Sequence, residues 1–292
     1  MNSRAIKLLA VWALAGFFSA GAIAAKQPAK QPARQPASKI ALTAAQIIDK
    51  HVEARGGLEA WRKIDTMVWV GHAEGAKAPP PGLPFVLEQK RPNKTRFEIM
   101  ANDHLSARVF DGSRGWKMRP AQAGKPPDVQ PYSEDEVSFA KDGQVIDGPL
   151  IDAVAKGVAI KLDDVDELEG RKAYRLYVTL PSGAHRHVWI DAETFLEMKS
   201  EREVRSRIGQ TLTVSVFYRN YQNVEGLQIP TVIETGTAGG APMEKLVIEK
   251  VALNPPLDAR TFAKPSTPIR RHAVSIDTTS PPPAGPSGRP AQ

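Results

Sequence analysis

From Asp65 almost to the end of the chain, the stretches between turn signals repeat with a period of two, and that alternation constrains the fold more than any other feature. "DTMVWVGHAEG", "PFVLEQKRP", "KTRFEIM", "HLSARVFDG" and "RGWKMRP" each alternate and each is bounded by Gly, Pro, Asn or Asp, the signature of successive strands. "RKAYRLYVTLP" places Tyr174, Leu176, Val178 and Leu180 on one face and Ala173, Arg175, Tyr177 and Thr179 on the other. "HRHVWIDAETF", "FLEMKSEREVR", "TLTVSVFYRNY", "LQIPTVIETG" and "EKLVIEKVAL" continue the pattern, with Leu212, Val214, Val216 and Tyr218 sharing a face. The expectation is an antiparallel meander of about ten strands with one solvated side. A sheet of that size curls strongly, and its concave face needs a cover.

Few segments can supply that cover. Thr43 and Gln46 stand at capping-box spacing before Ile47, Ile48 and Val52, which form one helical face. Gly56 and Gly57 end that helix, and "LEAWRKI" adds a short helical turn. "DGPLIDAVAKG" reads as a third helix, with Asp147 as cap, Pro149 early, Leu150, Ile151 and Val154 as its stripe and Gly157 as its stop. "DDVDELEG" is acidic and loop-like, lacks the calcium-loop spacing, and is read as a turn.

The ends of the chain differ from its middle. Residues 1–24 join a basic start, the apolar "LLAVWALAGFFSAGAIA" and a small-residue cleavage site, so a cleavable secretory signal is expected, and with it a periplasmic location. Residues 25–39 repeat basic-Gln-Pro-Ala and read as a solvated linker, and residues 265–292 as a disordered Pro-rich tail. The domain proper is therefore expected over 40–264. The formal charge of +7 sits at the ends: leader and linker hold six positive charges and the tail a net two, which leaves 40–264 near −1. The basic footprint of a nucleic-acid binder is missing from the domain. With no cysteine, the exported domain is expected to rely on its core alone and to carry no cysteine-linked lipid.

Reactive constellations are sparse. His185 and His187 share a strand face but no third ligand has suitable spacing, so a solvated face is the expectation and no metal is assigned. The glycines of "EGRKAY", "DGSRGW" and "VEGLQIP" occupy hairpin positions, without the strand–loop–helix order of a phosphate cradle. Neither Gly-x-Ser-x-Gly nor His-Glu-x-x-His occurs. No catalytic residue and no cofactor is assigned. Trp69, Phe85, Phe97, Phe110, Trp116, Trp189 and Phe217 recur on strands, where stripes of this kind are usually core.

"KRPNKTRFEI" followed by "VFDGSRGWKMRP" resembles the LolA-like family of periplasmic outer-membrane lipoprotein carriers. The flanking order is similar too: an N-terminal helix first, a lid-like "GPLIDAVAKG" after the Asp-Gly hairpin, and a closing "NPPLDARTFAKP". The "HVWIDAETFLEMKSE" and "YQNVEGLQIPTVIE" hairpins are similar to those of the wider group, and the long "APPPGLP" loop marks a divergent member.

That resemblance implies an α+β, mainly β fold: an incomplete antiparallel barrel covered by a few helices around an apolar cavity for acyl chains. The candidate lining is Trp69, Phe97, Ile99, Phe110, Trp116 and Leu150, with Ile151, Val154, Leu176, Val178, Val214 and Val216. Arg91 of "KRPN" would hydrogen-bond the lid and hold the empty cavity closed. The implied protein is a monomeric, non-enzymatic carrier of lipoprotein acyl chains or lipid, handed between an inner-membrane donor and an outer-membrane acceptor. The alternative is a sensing or scaffold module that recognises an envelope partner without transport. Burial of about 0.8 kcal/mol per methylene would drive binding without any reacting group.

Overall fold

The computed structural model describes residues 42–265, apart from 76–77, 79, 103, 121–125, 144–145, 206–208, 239 and 241. The leader, the linker and the tail beyond Pro265 lie outside the described residues. Helix α1 (Ala44–Ala54) begins at Thr43, whose hydroxyl accepts from Gln46 N while the Gln46 side chain accepts from Thr43 N, closing the capping box. Gly56 and Gly57, at φ +111° and +87°, end it in a conformation that favours glycine. Helix α2 (Leu58–Arg62) follows.

Six strands come next: β1 (Thr66–Gly75), β2 (Leu83–Lys90), β3 (Lys94–Ala101), β4 (His104–Phe110), β5 (Gly115–Arg119) and β6 (Asp128–Pro131). Helix α3 (Glu134–Lys141) and a run of turns over 146–157, here called the strap, lead to the second set. That set is β7 (Ala159–Leu168), β8 (Arg171–Thr179), β9 (His185–Asp191), β10 (Glu197–Arg205), β11 (Thr211–Val224), β12 (Leu227–Thr237) and β13 (Pro242–Leu253). All pair antiparallel in one open sheet, ordered β6-β5-β4-β3-β2-β1-β13-β12-β11-β10-β9-β8-β7. The mainly β class and the open antiparallel sheet are as expected, with more strands than the ten anticipated.

The order has a geometric consequence. The first and last strands, β1 and β13, pair in the middle, so β6 and β7 are the free edges and the chain between them has to pass from one edge to the other, which α3 and the strap do on the concave side. Helix α3 shows how far the sheet curls. Glu136 bonds Arg108 of β4 and Lys117 of β5, while Phe139, one turn later, lies 4.0 Å beneath the Arg202 guanidinium of β10. Strands β5 and β10 are eight steps apart and would be about 38 Å apart in a flat sheet, against a helix about 12 Å long. The sheet is therefore rolled into a trough that α3 bridges.

Three segments depart from the sequence reading. Residues 147–157 are not a helix: Gly148 and Asp152 have φ of +70° and +53°, which interrupt any helical ladder, and the Asp147 carboxylate is drawn to side chains instead of capping backbone N–H groups. Most of "DDVDELEG" lies in strand β7 and only its Glu169–Gly170 end is a turn, because Arg175 on β8 bonds Asp163 at 2.7 Å and Asp166 at 2.9 Å and neutralises the run. An acidic edge strand also resists pairing with another chain. Strand β6 and α3 arise between "RGWKMRP" and "DGPLIDAVAKG", where the sequence reading placed no element, and α3 carries its own capping box between Ser133 and Glu136.

Candidate functional site

Directly paired residues share a face, so the registers sort the side chains. Leu87, Phe97, Arg108 and Lys117 align across β2 to β5, and Leu176, Val188, Ser200 and Val216 across β8 to β11. Both rows line the concave side, where α1, α3 and the strap sit.

One flank of the trough is sealed. Ile47 of α1 and Leu150 of the strap pack with Tyr174, Leu176, Val178, Val188 and Ile190, all buried. Ile146 and Ile151 join Trp61, Met67, Leu227 and Ile229 in an adjoining cluster. Beneath α1, His51 is fully buried; its Nδ1 lies 2.8 Å from Phe195 O and its Nε2 3.7 Å from Glu197 Oε1. Burial lowers its pKa to about 4 against the opposing pull of Glu197, so it stays neutral.

The middle of the trough is different. Phe85, Phe97, Ile99, Ala73 and Ile248 form its floor, with the two phenyl rings 5.6 Å apart. Trp69, Leu83, Leu87, Ile233, Leu246 and Val251 pack around them only half-buried, and no residue of a helix or of the strap belongs to this cluster. Val214 and Val216 extend the half-buried apolar surface along β11. A separate depression of about 610 Å³ opens outside the trough, where Pro255, Pro256 and Leu257 alternate with Asp65, Lys90, Asn254 and Asp258 in a mixed lining.

The strap is held by charge. Arg91 donates from Nε to Ile64 O at 2.7 Å, and from Nη2 to Trp61 O at 3.0 Å and Asp147 Oδ2 at 2.7 Å. Lys156 Nζ donates to Asp147 Oδ1 and to Gly148 O, each at 2.7 Å. The Asp147 side chain is 3% exposed, and burial lowers the Lys156 pKa against the raising effect of Asp147. Arg62 adds a two-pronged bond to Asp152. Arg91 thus joins α2, β2 and the strap, and its partner Asp147 was not recognised from sequence because its position suggested a cap.

The expected lining residues fall into four groups. Trp69, Phe97, Ile99, Val214 and Val216 border the half-open middle, whereas Leu150, Ile151, Leu176 and Val178 are sealed in packed clusters. Phe110 faces the trough side but is filled in by Tyr132, with ring centroids 6.5 Å apart. Two assignments are corrected. Trp116 pairs with Val109, which pairs with Arg96, so it lies on the convex face among Leu105, Ala107 and Met118. Val154 is 92% exposed, because the strap turns instead of continuing a helical stripe.

The concave face also holds Arg186 and Arg202, on neighbouring strands β9 and β10, which sequence reading passed over. His185 and His187 face outward beside Tyr177, so Arg186 must face inward with Val188, a placement the period of two contains. His187 Nε2 lies 3.6 Å from Asp163, and no metal-holding cluster occurs among the described residues.

No family model and no curated protein matches the sequence. Solved structures do. The chain is similar to a LolA superfamily protein from Nitrosomonas europaea, at 17% identity over 77% of this chain and 99% of that one, with a TM-score of 0.49. It is similar to a DUF1329 family protein from Desulfovibrio piger at 12% identity, covering 75% and 97%, with a TM-score of 0.48. It is also similar to a putative outer membrane lipoprotein-sorting protein domain from Vibrio parahaemolyticus at 13% identity, covering 76% and 96%, with a TM-score of 0.47. At these values the likeness is one of strand arrangement, and the functional reading rests on the chain's own geometry.

Proposed function

We propose that this chain, a LolA-like half-barrel, is an exported, non-enzymatic carrier that takes the acyl chains of lipoproteins or lipids into the half-open middle of its trough. The observation that carries the reading is the contrast within one concave face: a floor of Phe85, Phe97, Ile99 and Ile248 ringed by half-buried apolar side chains, a cluster to which, among the described residues, no helix or strap side chain contributes. Each methylene buried there contributes about 0.8 kcal/mol, so a chain of ordinary length is held without any reacting group. The leader expected over residues 1–24 supports a periplasmic site of action.

The strap supplies control. Its two buried anchors, Leu150 and Ile151, dock beside the trough, and the Arg91–Asp147 bond ties it to α2 and β2. A guest that needs the strap displaced competes with that bond, which limits how tightly the guest is held and favours release.

Gently isolated protein is expected to carry acyl-chain lipid in native mass spectrometry. Replacing Arg91 with Leu removes the competitor, so a fluorescent fatty acid should bind more tightly and transfer to acceptor vesicles more slowly. Protein that is always empty and binds no fluorescent fatty acid would sink the carrier reading. Unchanged binding and transfer in the Arg91→Leu variant would remove Arg91 from the control of release.

A further inference from the structure

Two of the trough's cations lack the carboxylate that Arg108 and Lys117 find in Glu136. Arg186 of β9 pairs with Val178 and so lies beside Val188, and Arg202 of β10 pairs with Val214. Ser200 and Tyr218, which share a 3.2 Å hydrogen bond, complete the local polar surface.

Other guanidiniums in the sheet are well matched. Arg175, on the opposite face, meets Asp163, Asp164 and Asp166, and Arg219 meets Glu169 and Glu234. Among the described residues Arg186 and Arg202 have no carboxylate partner, and Arg186 Nε is buried with no hydrogen-bond partner at all. Among the described residues Arg202 has the Phe139 ring of α3 against it, 4.0 Å away, and the Tyr218 phenol as its one favourable electrostatic neighbour. Two carboxylates of α3 and its C-cap are engaged elsewhere: Glu136 by Arg108 and Lys117, and the C-cap Asp142 by Ser182. Burial first, and the neighbouring Arg186 charge second, lower the Arg202 pKa to about 10. Two like charges kept together in a partly buried site, with donors unused, are costly unless an anion completes them.

We propose that Arg186 and Arg202 form the head-group subsite of the trough, binding the phosphate or carboxylate of an anionic amphiphile whose chain lies on Val214, Val216 and the neighbouring apolar floor. The inference rests on the acyl-chain reading above and adds the charge of the guest. Two guanidinium forks suit two anionic oxygens. Phe139 stacks on one fork, and whichever hydroxyl of the Ser200–Tyr218 pair accepts their mutual hydrogen bond keeps its own proton to donate to the same head.

Calorimetric titration of the intact mature protein with monododecyl phosphate, lauric acid and uncharged monolauroylglycerol, each below its micelle concentration, tests this. Dodecyl phosphate and laurate are expected to bind at least tenfold more tightly than monolauroylglycerol. The Arg186→Gln/Arg202→Gln variant should lose that preference while keeping the wild-type affinity for monolauroylglycerol, which also reports that it is folded. The corresponding double Lys variant should retain most of the preference, and each single Gln variant should lose part of it, so the test survives if the double Gln protein does not fold. Equal binding of charged and uncharged amphiphiles by the wild type would overturn the head-group subsite and leave the trough reading standing. Binding of none would overturn both. Inorganic phosphate competing as well as dodecyl phosphate would overturn the amphiphile in favour of a free anion.

Discussion

Leu176 on β8 and Leu87 on β2 occupy in-facing positions of the same curled sheet, yet Leu176 is fully buried and Leu87 only half so. What differs is what lies above them. Over β8 and β9 the chain places Ile47 and Leu150, and the side chains interlock into a closed cluster. Over β1 to β3 and β12 to β13 the cluster is built from strands alone. The first flank follows the logic of a domain core, where stability comes from dense burial. The second leaves apolar area in reserve, and that reserve is what a binding protein needs.

Paired truncations turn the contrast into numbers. Leu150→Ala removes a side chain with no exposure from a packed cluster and is expected to cost about 3–4 kcal/mol in urea unfolding. Leu87→Ala removes a side chain already half in contact with water and should cost about 1 kcal/mol. The order should reverse for function, with Leu87→Ala weakening fatty-acid binding and Leu150→Ala leaving the trough floor intact. Equal losses of stability at the two positions would mean that the middle is as closed as the flank.

Acid should act on the sealed flank specifically. His51 has a folded pKa of about 4 and an ordinary value of 6.5, so the unfolded chain takes up a proton before the folded one does. Stability from this group therefore falls as pH drops from about 6.5 to about 4 and is level outside that window, a loss of about 3 kcal/mol. Glu88 and Glu244, raised to about 7 mainly by burial, work in the opposite sense and lose stability as pH rises from about 4.5 to about 7. The difference between wild type and His51→Asn, measured by urea unfolding at several pH values, isolates the histidine. The variant should flatten the acid-side decline, and parallel curves would show that His51 is not held neutral.

The strands were legible because alternation survives whatever lies above a sheet: Tyr174, Leu176 and Val178 face inward as their spacing requires. The trough's division was not, because Leu87 and Leu176 produce the same period and only the cover separates them. The charge logic of the strap was hidden for a related reason. Arg91 and Asp147 stand 56 positions apart and meet only when α2, β2 and the strap converge. The edge-to-edge crossing was missed at β6 and α3, where Pro and Gly signals obscured a Ser133–Glu136 capping box. Arg186 was recoverable in principle, since two outward histidines force the residue between them inward.

Val154 separates the two accounts of the strap at the lower end of the energy scale. A helix over residues 147–157 would place Val154 on one stripe with Leu150 and Ile151, and its replacement would then resemble theirs. The strap instead turns at Asp152, whose φ is +53°, and Val154 emerges 92% exposed while Leu150 and Ile151 are fully buried. Val154→Ser is therefore expected to leave the urea midpoint within about 0.5 kcal/mol of wild type and fatty-acid affinity unchanged. A loss comparable to Leu150→Ala would restore the continuous stripe. It would also detach the strap from the Arg91–Asp147 geometry, since a helical Asp147 would turn its carboxylate towards its own backbone N–H groups and away from the guanidinium.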